Sequence, residues 1–259
     1  MHYIFDGTYY GWLTCVFEAF ERKEFEARPI SVDRYIPDMF AVDRTITTST
    51  DKAMRVSKGL AMRLDKKSRM DFYRAFLFED EAVWQAAFYL CIEIFRGNTA
   101  ILSNYGNDAV LKFSEALHKV SRERHRMKAF VRFQRAADGM FFAVVEPDFN
   151  VLPLIITFFT NRYTDQPWII YDLKRKYGIY WDKIRVTEVQ LNEGDSTAMM
   201  QSSTVVSLDT QEEYYTNLWQ QYFKSTNIKA RRNMKLHLRH VPKRYWKYLP
   251  EKQFGNIKS

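Results

Sequence analysis

The period of the apolar positions changes midway along the chain. Before about residue 124 it is helical. Leu13, Val16, Phe17 and Phe20 recur three and four residues apart behind Thr8, a residue able to cap a helix start. A short strand, Tyr3-Ile4-Phe5, precedes the turn Asp6-Gly7-Thr8. Asp6 reads first as a turn residue and second as a carboxylate at a strand end. Residues 28–48 read as irregular or extended, with β-leaning stretches at Phe40-Ala41-Val42 and Arg44-Thr45-Ile46-Thr47. Thr50 or Asp51 opens a helix through Val56, Leu60 and Leu64, and Phe72, Phe76 and Phe78 follow. The run from Glu81 to Phe95 is apolar enough to be a core helix, and Arg96-Gly97-Asn98 ends it with a glycine suited to a left-handed cap. Asn107 to Arg124 is amphipathic through Val110, Leu111, Phe113, Leu117 and Val120. The basic run Arg122-Glu123-Arg124-His125-Arg126 then reads as a solvated face that complements the negative helix end.

From His125 to Asp182 the pattern becomes that of strands. Val131, Phe133, Phe141, Ala143 and Val145 alternate around Ala137-Asp138-Gly139, a tight-turn sequence. A second pair, Pro167–Asp172 and Tyr177–Asp182, brackets the basic loop Leu173-Lys174-Arg175-Lys176. Between the pairs, Val151–Phe159 suits a buried helix, with Pro153 tolerable in its first turn. The order β-β-α-β-β over residues 127–190 predicts an α+β fold: an antiparallel sheet covered by helices from the N-terminal half and the C-terminus. Arg185–Leu191 reads as a further strand and Asn192–Thr197 as a turn. Asp209 or Thr210 then caps a helix carrying Tyr215, Leu218, Trp219, Tyr222 and Phe223. No repeat or Pro/Gly/Ser linker divides the chain. It reads as one domain, 1–259, with a helical portion 1–124, a sheet portion 125–191 and a basic helical portion 208–251.

Composition narrows the classes. A hydrophobic content of 46% with 16% aromatics excludes a disordered chain. No stretch approaches the roughly 20 apolar residues of a membrane span, and Phe5-Asp6-Gly7 interrupts any export signal, so the expected compartment is the cytoplasm. Cys15 and Cys91 lie apart in apolar helical patterns and are expected to be buried and unbridged. The net charge of +8 favours a polyanionic partner. Much of it sits between Lys224 and Lys247, a stretch without Asp or Glu that holds Lys229, Arg231, Arg232, Lys235, Arg239, Lys243 and Arg244. Tyr245, Trp246 and Tyr248 are interleaved at its end. Such cations neutralise phosphates and such rings stack on bases. Equally, Tyr245, Trp246 and Leu249 could dock the segment on the core and leave its charges in water.

The candidate chemistry lies at the turns of the sheet. Glu146, Asp148, Asp172 and Asp182 are the carboxylates that could hold a divalent ion or act on a deoxyribose. Lys174 and Arg175 are the neighbouring cations, with Tyr171 a recognition residue and Arg132 and Arg162 extending the basic surface. Turn capping and ion pairing explain the same carboxylates. No metal site is predicted: the five His are dispersed, there is no CxxC or HExxH, and His237 and His240 stand among cations. Iron–sulfur ligands, a P-loop, a dinucleotide fingerprint and a nucleophile elbow are all missing, and no cofactor is expected in this chain.

Three stretches carry a resemblance: the opening IFDGTYYGWLTCVFEAFE, the central VEPDFNVLPLIITFFTNRY with PWIIYDLKRKYGIYWD, and RRNMKLHLRHVPKRYWKYLPE. Together they resemble a bacterial family labelled "probable DNA metabolism protein", a domain of unknown function. Members of that family accompany a radical SAM protein, and some are fused to a uracil-DNA-glycosylase-like domain. The placement of the basic charge points to a DNA-binding accessory role in DNA repair or modification, and the resemblance implies a radical SAM partner for it. The residues alone leave two alternatives open: a nuclease or lesion-processing enzyme using the sheet-rim carboxylates, and an interaction module for an acidic protein.

Overall fold

The structure, a computed structural model, describes residues 1–135, 140–190 and 242–249. It is α+β and falls into two compact units, Met1–Ser121 and Arg122–Ser259.

The first unit is built on a small parallel sheet. Strands β1 (His2–Phe5), β2 (Arg28–Ser31) and β3 (Asp43–Thr45) are ordered β2-β1-β3. Within the stretch read as irregular or extended, two short segments therefore pair with β1. Helix α1 (Tyr9–Arg22) supplies the crossover from β1 to β2 that parallel pairing requires. Three helices follow: α2 (Thr50–Arg63), α3 (Lys66–Phe76) and α4 (Glu81–Phe95). A side-chain acceptor starts each of these four helices. Thr8, Ser49, Asp65 and Asp80 accept from the N–H of Gly11, Lys52, Ser68 and Val83 respectively, satisfying donors that the helix itself cannot. Helix α2 thus starts at Thr50, the earlier of its two expected positions, with Ser49 as its cap. Helix α4 ends as expected: Gly97 lies at φ +104°, and Asn98 N–H reaches back to Glu93 C=O.

Aromatic rings fill the core of this unit. Trp84 stacks on Phe76 and meets the edge of Phe5, and its indole N–H donates to Phe76 C=O at 2.9 Å. Cys15 and Cys91 are buried and unbridged, and burial pushes both thiols well above the ordinary value, which leaves them un-nucleophilic.

Helix α5 (Asp108–Phe130) leads into the second unit, whose five-stranded sheet is ordered β4-β5-β6-β7-β8. These strands are Gln134–Arg135, Phe141–Val145, Trp168–Asp172, Tyr177–Trp181 and Val186–Val189. The sheet is largely antiparallel, as predicted, with one exception. Strands β5 and β6 run parallel, Val145 opposite Asp172, because α6 (Leu152–Arg162) lies between them and carries the chain back to the starting end. Pro153 stands in the first turn of α6, where its missing N–H costs nothing. Phe159 of α6 meets Phe133 and Trp168 edge to face. The parallel pairing sets the Glu146 turn and the Asp172 turn at the same end of the sheet. The turn expected at Ala137-Asp138-Gly139 and the helix expected from Asp209 lie outside the described residues. Among the described residues, no helix is long and apolar enough to cross a membrane.

Gly11 allows a close approach in the first unit. A Cβ there would stand 2.3 Å from Asp6 Oδ1 and 2.8 Å from Thr48 Oγ1. Gly11→Ala should cost roughly 1–3 kcal/mol, measured by urea unfolding, because Asp6 and Thr48 must separate to admit it.

Candidate functional site at one end of the sheet

The site begins with a turn. Asp172 closes β6 fully buried, and its Oδ1 accepts the N–H of Lys174 (2.9 Å) and of Arg175 (3.2 Å), which folds the loop back on itself. Lys176, at φ +56°, completes the reversal into β7. The Arg175 guanidinium donates to Asp172 Oδ2 at 2.8 Å and to the carbonyls of Pro147 and Asp148 at 3.1 Å each. One cation therefore ties the β6–β7 turn to the segment leaving β5. Lys174 Nζ adds a bond to Asp148 C=O at 3.1 Å. Burial pushes the Asp172 carboxyl up, and Arg175 with the two N–H groups opposes it.

A second layer is brought in by the short 3-10 helix Lys243–Tyr248. Tyr245 is buried against Phe130, and its hydroxyl donates to Glu123, a carboxylate only 1% exposed on α5. Glu123 also accepts Asp148 N–H at 2.9 Å and pairs with Arg126 and Arg244. Arg244 lies over the Tyr245 ring and pairs with Asp148. Lys247 and Tyr248 both donate to Glu146. Burial raises the Asp148 carboxyl, and the Glu123 charge raises it further. Lys247 and Tyr248 hold Glu146 below the ordinary glutamate value.

Glu146, Pro147, Asp148, Lys174, Arg244 and Lys247 line a cavity of about 440 Å³. Three of the four predicted carboxylates, Glu146, Asp148 and Asp172, thus collect at this end. Each is engaged by its own cation: Lys247, Arg244 and Arg175 in turn. Asp182 stands at the opposite end of β7, where it caps a turn through the N–H groups of Ile184 (2.8 Å) and Arg185 (2.7 Å). Among the described residues, no three His, Cys, Asp or Glu are grouped to hold a metal ion.

Of the predicted nucleic-acid contacts, Lys174, Arg244 and the half-buried Trp246 sit at this end with reach to solvent. Arg175 is inward, its side chain 9% exposed, and its role is to brace the turn. Tyr245 and Tyr171 are buried, so neither ring is offered for stacking on a base. Arg231, Arg232, Lys235 and Arg239 lie outside the described residues, as do His237, His240 and the side chain of Lys243. Sequence reasoning passed over Glu123 and took its neighbourhood for a solvated basic face. The signal was present, since Phe113, Ala116, Val120, Glu123 and Met127 form one buried stripe at spacings of three and four.

The described residues therefore define an α+β chain with a carboxylate rim braced by cations. Residues 81–251 match the family model described as a domain of unknown function, DUF4130. That span is most of the chain, and the chain belongs to this family. The matched span starts at α4, so the opening IFDGTYYGWLTCVFEAFE precedes it. Searches of curated proteins and of solved structures gave no match.

Two outcomes follow for the rim. Arg175→Ala strands the buried Asp172 charge and should lower unfolding stability by about 3–5 kcal/mol in urea titrations. Because the Glu146 pKa is depressed on folding, its contribution is complete above about 4.5 and fades as pH falls through the depressed value. The protection of amides 244–249, measured as their exchange rate relative to the intrinsic rate at each pH, should accordingly fall at acid pH, and Glu146→Gln should remove that dependence.

Proposed function

We propose that this chain is a DNA-binding accessory protein of bacterial DNA repair or modification, working in the cytoplasm beside a radical SAM partner. One observation carries the binding part. The rim carboxylates are each tied to a separate cation, while Lys174, Arg244 and Lys247 converge on one open cavity. Such a surface suits recognition of phosphate rather than carboxylate chemistry, which needs acids converging on one reacting group or ion. Charge adds support. Over the described residues of the second unit, Lys and Arg outnumber Asp and Glu about two to one. The basic stretch through Arg231, Arg232, Lys235 and Arg239 leads directly to the 3-10 helix at the rim. The radical SAM partner, and an association with a glycosylase-like protein, rest on the family resemblance alone.

The test is fluorescence anisotropy with labelled single- and double-stranded DNA over a salt series, with and without Mg²⁺. The logarithm of the affinity should fall linearly with the logarithm of salt concentration. Replacing Arg231, Arg232 and Lys235 together by Ala should flatten the slope by roughly 2–3 on duplex DNA. No affinity for either DNA at low salt would overturn the reading and turn attention to an acidic protein. A cleaved product that needs Mg²⁺ and is lost in Asp172→Asn would replace binding with catalysis.

A further inference from the structure

The first unit contains a second cavity, about 390 Å³, apart from the rim and from the family-matched span. Glu18, Arg22, Arg44, Lys52 and the run Thr45–Ser49 line it. It follows the outer edge of β3 past the strand's carboxyl end to the first turn of α2. The carboxyl ends of parallel strands are where open α/β sheets hold their ligands.

Its charges are positioned by acids without being used up by them. Glu18, 8% exposed, accepts Arg22 Nε at 2.8 Å and Lys52 Nζ at 2.6 Å, and Lys52 Nζ also donates to Glu21 at 2.8 Å. Burial alone would raise its carboxyl. The bonds from Lys52 and Arg22 prevail and hold it low, so it stays ionised and keeps both cations in place. Arg22 spends only Nε on this contact, and its terminal nitrogens have no partner among the described residues. Arg44 gives one terminal nitrogen to Glu24 at 2.9 Å, while its Nε is buried with no partner among the described residues. A guanidinium N–H left buried and unsatisfied costs stability unless something outside the chain accepts from it.

Neutral donors complete the lining. The Thr45 and Thr47 hydroxyls are exposed and have no partner among the described residues. Ser49 caps α2, whose opening N–H groups and dipole favour a negative charge beside them. Within the lining, three cations face one carboxylate, while Glu21 and Glu24 pair with Lys52 and Arg44 from outside it. The donors are forked, fixed and matched to a tetrahedral oxyanion, and the volume is that of a small-ligand site.

We propose that this cavity binds a phosphate group, with Arg22, Arg44 and Lys52 as its charged contacts and Thr47 as a neutral donor. The phosphate belongs either to free inorganic phosphate or to a nucleoside monophosphate, and both chemistries use the same donors.

Isothermal titration of the full chain at constant ionic strength tests this, with inorganic phosphate and thymidine 5′-monophosphate as separate probes. One saturable site is expected for at least one probe. Tighter binding of the nucleotide would assign the ligand to that class, and binding equal to or weaker than that of inorganic phosphate would assign it to the free anion. Arg22→Gln should weaken binding about tenfold and Thr47→Val about threefold. Thr47 is exposed, so its variant reports on binding even if Arg22→Gln folds poorly. Lys112→Ala, exposed on α5 and outside the lining, should leave binding unchanged. Absence of saturable heat with both probes at millimolar concentration would overturn the proposal. So would full affinity in Thr47→Val together with either Arg22→Gln or Lys52→Gln.

Discussion

A carboxylate withdrawn from water has to be met by fixed donors, and the second unit is assembled around two that are. Asp172 ends the central strand β6 with no exposed surface, and Glu123 interrupts the apolar stripe of α5. The partners they require come from distant parts of the sequence. Arg175 serves Asp172 and, in doing so, grips the carbonyls beyond β5. Tyr245, Arg244, Arg126 and the N–H of Asp148 serve Glu123. Ionic and hydrogen-bonding demand, more than apolar burial, thus decides how helix, turn and C-terminal segment meet at this end of the sheet. The arrangement costs desolvation, and apolar replacements of similar shape could be as stable. What it contributes is position: each group has one place where its charge is satisfied.

The helices and strands were largely readable from periodicity and from caps. Thr8 was expected to start α1 and does, the Glu81–Phe95 run is a buried helix, and Gly97 ends it. Strand pairing was harder to read. The apolar runs Phe141–Val145 and Trp168–Asp172 mark strands but carry no information on direction, and it is the helix between them that provides the crossover their parallel pairing needs. The N-terminal sheet was largely hidden because β2 and β3 are three or four residues long, too short for a period to show. At the site, the acids and bases of the turns were legible as residues whose roles were not. Arg175 looked like a phosphate contact and is a brace. Glu123 looked like part of a charged surface because its neighbours are Arg122 and Arg124, although its register on α5 placed it with Val120 and Met127.

Attachment of the 3-10 helix has a consequence of another kind. Residues 243–248 dock on the rim while joined to β8 by the same chain, some fifty residues away. Whatever path those residues follow, the docking element is present at every encounter, at a local concentration fixed by its tether and not by the amount of protein in the cell. A modest contact is then enough to keep it seated. Any outside ligand that wants the same acids competes with a neighbour that cannot diffuse away, and occupancy of the rim is therefore insensitive to dilution.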